Sequence, residues 1–539
     1  MLSTESTNAS NQGIARHIPL LAVLMLGMFL AILNQTLLNV AIPPIINEMN
    51  ITASTAQWLL TGYMLINGIL IPLSAYLIER FGVRLLFLAA MFFFTAGSLI
   101  CGVAPSFAVL LIGRLVQAIG GGILMPLVMT IILFIFPPQM RGKGMGIFGL
   151  GMMFAPAIGP TLSGWILEHH SWRLLFNGMV PLGIFVTLVA FFVLKDLGQR
   201  KKTRLDLLGS VISTLGFGTL LYGLSEAGTR GWADSVVVSC IVLGVLLVAL
   251  FIILQIQSPE PLLDFRVFKY DMFSLSSVVS AIVTVAMYAG MFLLPIYLQN
   301  LRGFTPFESG LLILPGAVIM GIMSPISGSL FDKWGPRPLA VAGLLVTAVT
   351  TYEFTQLTLE TSYSHILMLN MIRSFGMSLL MMPIMTAGLN QLPREKNSHG
   401  TAMSNTLRQI AGSIGISIFT TIFSTRTTFH LGKLSEQVNI MDPAFAQTFA
   451  SHAAATGLPA AEAEKTLTAY LYGQAQMQAA VQGIDDAFIW ATGVTLVGLV
   501  LSFFLRDVRK DKPTKTTQAD PPQPDGPAAD VKKEAVVAG

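Results

Sequence analysis

AYLIERFGVRLL at Ala75–Leu86 and GSLFDKWGPRPL at Gly328–Leu339 decide how this chain is read. Each stretch lies between two long apolar runs. Each presents an acid, a base, a glycine and a second base at one spacing: Glu79, Arg80, Gly82 and Arg84 in the first, Asp332, Lys333, Gly335 and Arg337 in the second. A loop written twice implies a duplicated architecture, and the apolar runs around it place that architecture in a membrane.

Composition agrees. The 539 residues are 53% hydrophobic and 11% charged, whereas an average soluble domain carries about 25% charged residues. Uncharged runs of roughly 20 residues, enough to cross a ~30 Å hydrocarbon core as helix, recur from Pro19 to Leu505. The short alternating segments of a membrane barrel are absent, so the chain reads as an all-α polytopic membrane protein. The net charge of +4 does not signal nucleic acid, because Lys and Arg gather in short loops beside apolar runs, where they set orientation. Cys101 and Cys240 lie inside apolar runs and read as packing residues, with no disulfide framework. The polar start MLSTESTNASNQGIARH leads into a run without a small-residue cleavage site, so the first run reads as a retained span. Residues 506–539 are rich in Lys, Pro, Asp and Ala and read as a disordered tail.

About fourteen spans are expected. Gly82 and Gly335 are 253 residues apart, and a span with its loop takes roughly 30 residues, so the two copies are about eight spans apart. An even offset puts both on one face. The organisation that follows is a cytoplasmic N-terminus (1–18), a six-helix bundle (19–194), a linker with two extra transmembrane helices (195–271), a second six-helix bundle (272–505) and the tail. The loops with KDLGQRKKTR, QMRGK, FGVR, DKWGPR and LPREK share one side, while NEMNITASTAQ and TLETSYSH lack Lys and Arg. The basic side, with both termini, is therefore expected to be cytoplasmic. Residues 425–485 are expected as an extracellular loop with short amphipathic helices, either a cap on the outer mouth or an inert spacer.

In the duplicated loop, an acid at a helix end can pair with bases of a facing helix, and the glycine permits a tight turn. Such a clasp would hold one conformation of a two-state machine. In GRLVQAIGGGILMP, Arg114 lies about two turns inside the outer end of the fourth run. A buried charge there is costly and reads as functional, with Gln117 on the same face and Gly120, Gly121 and Gly122 admitting a close neighbour. Arg373 in NMIRSFGMSLLMMP looks like its echo; an arginine that only caps backbone carbonyls would give the same pattern. The fifth run contains APAIGPTLSGW, whose Pro156, Gly159, Pro160 and Gly164 make a bendable, tightly packed helix.

Taken together, these motifs, with WRLLFNGMVPLG at Trp172–Gly183, NQTLLNVAIP at Asn34–Pro43, PLLDFRVF at Pro261–Phe268 and SNTLRQIAGSIG at Ser404–Gly415, resemble the major facilitator superfamily. More narrowly, the chain is similar to its fourteen-span drug/proton antiporter branch, the EmrB/QacA type, over nearly all of residues 19–505. The resemblance implies two six-helix bundles around a central cavity, two extra helices between them, and export of lipophilic compounds driven by proton influx in a bacterial plasma membrane. It assigns Arg114 to coupling, Gly159 and Pro160 to the antiporter helix, and Glu79, Arg80, Asp332 and Arg337 to gating. The expected partners are small lipophilic molecules, protons and membrane lipids, with no cofactor, metal or nucleic acid; a monomer is one possibility, and the oligomeric state stays open.

One departure matters. The first-span motif of the family begins with Asp, and here it reads Asn34, which cannot carry a proton. Intramembrane acids are few: Glu353 lies in the outer half of a span, and Glu226 and Glu168 sit at outer ends. Glu353 is the leading candidate carrier. Rough depths at about 1.5 Å per residue put Asn34, Arg114, Arg373 and Glu353 in the outer half, where they are expected to form one polar cluster. The shortage of acids disfavours dicationic cargo and leaves monocationic, zwitterionic, neutral or weakly anionic amphiphiles. Two other readings stand beside export of many drugs: a dedicated exporter of one metabolite, peptide or lipid, and a non-transporting membrane receptor. An enzyme or ATP-driven pump is disfavoured, because the sequence holds no GxxxxGK[ST] loop and no metal-ligand constellation.

Overall fold

The computed structural model describes residues 18–195, 206–437 and 460–507. Residues 196–205, the ends of the chain and residues 438–459 lie outside the described residues, and with them all but the first two residues of the expected disordered tail. Among the described residues fourteen long helices follow one another: α1 (Ile18–Met49), α2 (Ala53–Phe81), α3 (Val83–Gly102), α4 (Phe107–Ile135), α5 (Arg141–His169), α6 (Met179–Val193, after the single turn Arg173–Asn177), α7 (Leu207–Arg230), α8 (Ser235–Gln257), α9 (Asp271–Ile296), α10 (Pro306–Trp334), α11 (Pro336–Glu353), α12 (Tyr363–Asn390), α13 (Asn397–Gln437) and α14 (Ala460–Ser502). No strand occurs among the described residues. In hydrocarbon every backbone N–H and C=O must be satisfied within its own segment, and these apolar runs meet that demand as helices. Thirteen of the helices are long and apolar enough to cross a membrane. The remaining one, α13, carries His399, Asn405, Arg408 and Arg426 and is too polar to qualify by composition, yet it packs against α9, α14, α7, α2 and α4.

Helices α1–α6 form one bundle and α9–α14 the other. Their broadest meeting is α5 against α10, and α13 lies against α2 and α4 on the opposite seam. The extra pair α7 and α8 packs on itself, and α7 fills the angle between α2 and α13. There Trp58 stacks on Tyr222 with ring centroids 5.9 Å apart, and Ser417 of α13 donates to the Leu224 carbonyl. The pair therefore ties one bundle to the other along this seam.

Gly82 and Gly335 have φ of 76° and 82°, a region that costs a side-chain-bearing residue roughly 1–2 kcal/mol. Each closes the helix that carries the loop's acid and opens the next. Replacing either glycine with alanine is expected to lower the thermal unfolding midpoint by a few degrees, read by a fluorescence melt of the detergent-purified protein.

The described parts of residues 425–485 differ from the expectation of a loop with short helices. Residues 425–437 continue α13 and residues 460–485 belong to α14, which begins well before the expected 486. The 41 and 43 residues of these helices correspond to roughly 60 Å each at 1.5 Å per residue, about twice the hydrocarbon core. Charge pairing holds the extensions together: Asp486 takes Arg426 at 2.5 Å and His430 at 2.7 Å.

Candidate functional site

Three places carry the polar chemistry of the interior. The first is inside the N-terminal bundle, where Arg114 of α4 is fully buried. It donates from Nη1 to Asn34 Oδ1 of α1 at 2.7 Å and to Gln117 Oε1 at 2.5 Å, and from Nε to the Leu59 carbonyl of α2 at 3.4 Å. Gln117 Nε2 passes the chain on to Ser98 Oγ of α3 at 2.6 Å. The guanidinium lies over the Tyr63 ring, 4.4 Å from its centroid. One buried cation thus joins four helices through neutral acceptors. The glycines around it make room: a Cβ on Gly97 would lie 2.4 Å from the Gln117 backbone nitrogen, and one on Gly121 would lie 2.1 Å from Tyr63 Oη. A lysine cannot reproduce the planar fork, so Arg114→Lys is expected to lower transport at least about tenfold with expression unchanged, as measured by uptake into everted vesicles.

The structure brings Asn34, Arg114 and Gln117 together, and separates them from the other members of the expected cluster. Arg373 belongs to α12 in the other bundle, where it donates to the Ala286 carbonyl of α9 at 3.1 Å and packs on the bare backbone of Gly290. Glu353 is the last residue of α11 and has no ion-pair partner among the described residues. Glu226 pairs with Arg230 of its own helix at 2.8 Å, near the end of α7. Depth alone could not separate residues of equal height in different bundles.

The second place is the seam between α5 and α10. Pro156 and Pro160 lie within α5, and Gly159 presses on α1, where a Cβ would come 2.3 Å from Thr36 Oγ1. Gly142, Gly146, Gly149 and Gly164 face α10. A Cβ on Gly142 would lie 2.3 Å from the Gly328 carbonyl, and one on Gly146 2.7 Å from Ser324 O and Pro325 Cα. Backbone therefore meets backbone at the end of the seam that carries the duplicated loops, here called the motif face.

The third place is the motif face itself, and here the duplication becomes geometric. Asp332, at the end of α10, accepts the N–H groups of Gly142 and Lys143, the second and third residues of α5, at 3.0 Å each. Glu79, at the end of α2, accepts Ser398 Oγ at 2.8 Å and lies 3.4 Å from His399 Nε2, the second and third residues of α13. Each acid therefore sits at the positive N-terminus of a helix in the opposite bundle. Asp332 thus takes backbone N–H groups of a facing helix, and Glu79 lies beside a base of one, His399. Gly82 and Gly335 turn the chain, Arg84 donates to the Phe191 carbonyl of its own bundle at 2.9 Å, and Arg80, Lys333 and Arg337 are exposed.

Further ties close this face. Arg141 reaches Asn390 Oδ1 across the bundles at 3.3 Å, and Thr130 meets Thr401 at 2.6 Å. Asp264, in the connection before α9, pairs with Lys396 at 2.9 Å, and its backbone N–H donates to His399 Nδ1 at 3.3 Å. Burial would raise the Asp264 carboxyl, but Lys396 and the Arg266 N–H outweigh it and hold it below the usual carboxylate range. The tie therefore persists through neutral pH and is lost only as pH falls below that range.

Ser98, Tyr63, Ser398 and His399 were not singled out by sequence. They come from helices distant in the chain and carry no local signal. Arg408, within SNTLRQIAGSIG, could have been found as a charge in the middle of an apolar segment.

Duplicated six-helix bundles, mirrored acids on the motif face and a buried arginine on the fourth helix coincide with a match to the Major Facilitator Superfamily over residues 24–416. The chain belongs to this superfamily. It is 59% identical over 516 residues to the MFS-type transporter YhcA of Bacillus subtilis, covering 95% of this chain and 96% of that one. It is 37% identical to the lincomycin resistance protein LmrB of B. subtilis (95% and 100% covered) and 30% identical to the multidrug export protein EmrB of Haemophilus influenzae (89% and 93%). The likeness to the EmrB type seen in the sequence is thus borne out. Among solved structures, the human organic anion transporter MFSD10 superposes with a TM-score of 0.61 at 12% identity, covering 90% of this chain and 99% of that one, and shows the shared fold. This superfamily member is a multi-pass membrane protein.

Proposed function

We propose that the chain is a proton-coupled exporter of lipophilic compounds in a bacterial plasma membrane, working by alternating access, with the motif face and both termini on the cytoplasmic side. The observation that carries this reading is the mirrored pair of acids. Glu79 and Asp332 each bind a helix start of the opposite bundle, so the motif face is shut by contacts that must break for the cavity to open inward. A protein that did not transport would have no need of a seam built to release. The relatives named as drug-resistance and multidrug-export proteins support lipophilic cargo, and the basic loops support the orientation.

Proton coupling requires a carrier other than Asn34. Among the described residues the Arg114 cluster contains no carboxylate, so coupling through it would run by rearrangement of the guanidinium among neutral acceptors, with the proton held elsewhere. Glu353 remains the proposed carrier, at the end of α11. Glu353→Gln is expected to abolish accumulation against a gradient and to leave cargo binding in place; retained uphill export would move the carrier elsewhere.

The reading is tested by expressing the chain in a drug-sensitive bacterial strain and following efflux of a panel of lipophilic dyes and antibiotics before and after collapse of the proton gradient. Efflux of several unrelated compounds that stops on collapse is expected. Efflux of one metabolite alone would favour a dedicated exporter.

A further inference from the structure

Arg114 and Arg373 are buried inside the bundles and Arg408 is half-buried between them, and among the described residues none of these three pairs with a carboxylate. Two of them have a structural explanation within one bundle. Arg114 is held by Asn34, Gln117 and the Leu59 carbonyl, and Arg373 by the Ala286 carbonyl and the backbone at Gly290. Arg408 has no such explanation.

Arg408 is eleven residues into α13, or roughly 16 Å from the motif face at 1.5 Å per residue, close to the middle of a ~30 Å core. Its Nη1 lies 4.0 Å from Met385 Sδ of α12, and its Nη2 lies 3.9 Å from Met152 Sδ of α5. The guanidinium therefore spans the interface between the bundles, on the route a cargo takes under alternating access. Thioether sulfur is a weak acceptor, and the buried Nε has no hydrogen-bond partner among the described residues. Tyr288 of α9, whose ring packs against Gly412 one turn further along α13, completes the surroundings with a hydroxyl. Met382, which touches the Gly149 position of α5, extends the methionine lining.

A half-buried guanidinium at mid-membrane, with two thioethers and the Tyr288 hydroxyl nearest to it, has little compensation for its charge. Desolvation there costs several kcal/mol unless an anion shares the site. A planar fork suits a carboxylate, sulfonate or phosphate, and unbranched methionines adapt to varied apolar bodies. We propose that Arg408, with Met152 and Met385, is the head-group subsite of the cargo cavity, and that it selects amphiphiles carrying a single anionic group. This proposal rests on the reading of the chain as an exporter and adds to it the charge of the cargo.

The test uses two fluorescent probes with one lipophilic body and opposite charge, 1-pyrenebutyrate and 4-(1-pyrenyl)butyltrimethylammonium. Binding to the full chain is measured in phosphatidylcholine nanodiscs, with empty discs as blank. The wild type is expected to bind the anion at least about tenfold more tightly than the cation, and Arg408→Gln to remove that preference, with cation binding changed no more than about threefold. Arg408→Lys is expected to keep part of the preference. Met385→Glu, which places an internal carboxylate beside Arg408, is expected to remove the preference with the arginine still present, and it serves if Arg408→Gln does not fold.

Equal binding of the two probes by the wild type, or an undiminished preference in both Arg408→Gln and Met385→Glu, overturns the subsite. Repeating the titration with phosphatidylglycerol in the discs separates the sources of the anion. Displacement of pyrenebutyrate identifies a lipid head group as occupant, and no displacement identifies a free amphiphile; both support the subsite. Flux of the same probes in proteoliposomes is scored apart. Selective binding without flux rejects export and keeps the subsite, while flux of the anion unaltered by Arg408→Gln keeps export and rejects the subsite.

Discussion

Gly146→Leu will abolish export, by at least about a hundredfold, while leaving the protein folded and in the membrane. The reason is steric. At this point α5 and α10 touch backbone to backbone, and even a first side-chain carbon would lie 2.7 Å from Ser324 O and Pro325 Cα. Neither is the free end of a flexible side chain, so a leucine can be accommodated only if the helices part. Parting them by a side-chain diameter also pulls Gly142 from Gly328 and Asp332 from the start of α5, so the motif face stays open. Interiors packed to crystal-like density switch between discrete arrangements and do not deform gradually, so the loss should be near complete. Gly432→Leu and Gly493→Leu, where a side chain would meet nothing within 4 Å, serve as controls and should export normally. Labelling of a cysteine introduced at Lys143 should rise in Gly146→Leu and not in the controls. Normal export by Gly146→Leu would show that the seam need not close.

The second large effect is expected from Glu79→Gln combined with Asp332→Asn. Each carboxylate lies at a helix N-terminus of the opposite bundle, and such charge-assisted contacts contribute roughly 1–2 kcal/mol apiece when partly buried. An amide offers one acceptor in place of two oxygens and turns a donor toward donors. Losing both contacts should weaken the closed motif face by about 2–4 kcal/mol, a shift of about two orders of magnitude in the balance between states. Single variants should lose export by about tenfold, and the double variant should approach inactivity at undiminished expression. The two acids lie on opposite seams of one closure, so their effects should couple in a double-mutant cycle. Unchanged turnover in both single variants would reject the latch.

Much of this architecture was legible in the chain. The duplicated loop, its eight-span offset and the apolar runs led to fourteen helices and two bundles, because membrane helices must satisfy their own backbone and so announce themselves locally. Gly82 and Gly335 were legible for the same reason, since a positive φ is a local demand. What escaped was either too polar or too distant. The half of α13 away from the motif face reads as loop because Arg426 and His430 lower its hydropathy, and only Asp486 across the helix pair explains them. The partners of Glu79 lie 319 residues away, and no spacing rule links an acid to a helix start in another bundle. Arg114 was found because a charge in an apolar run is conspicuous, yet its neighbours were misjudged: equal depth placed Glu353 and Arg373 beside it, and the bundles keep them apart. Ser98 and Tyr63, which do surround it, look like any small or aromatic residue of a membrane helix.

The most direct measurement is proton movement in proteoliposomes carrying the purified chain under an imposed pH gradient, with lipophilic compounds added in turn. The account predicts that particular compounds collapse the gradient in the wild type and that none does so in Gly146→Leu. If compounds crossed the membrane through the wild-type protein while the gradient stood unchanged, coupling to protons would be contradicted, and Asn34 would mark a transporter driven by its cargo gradient or by another ion.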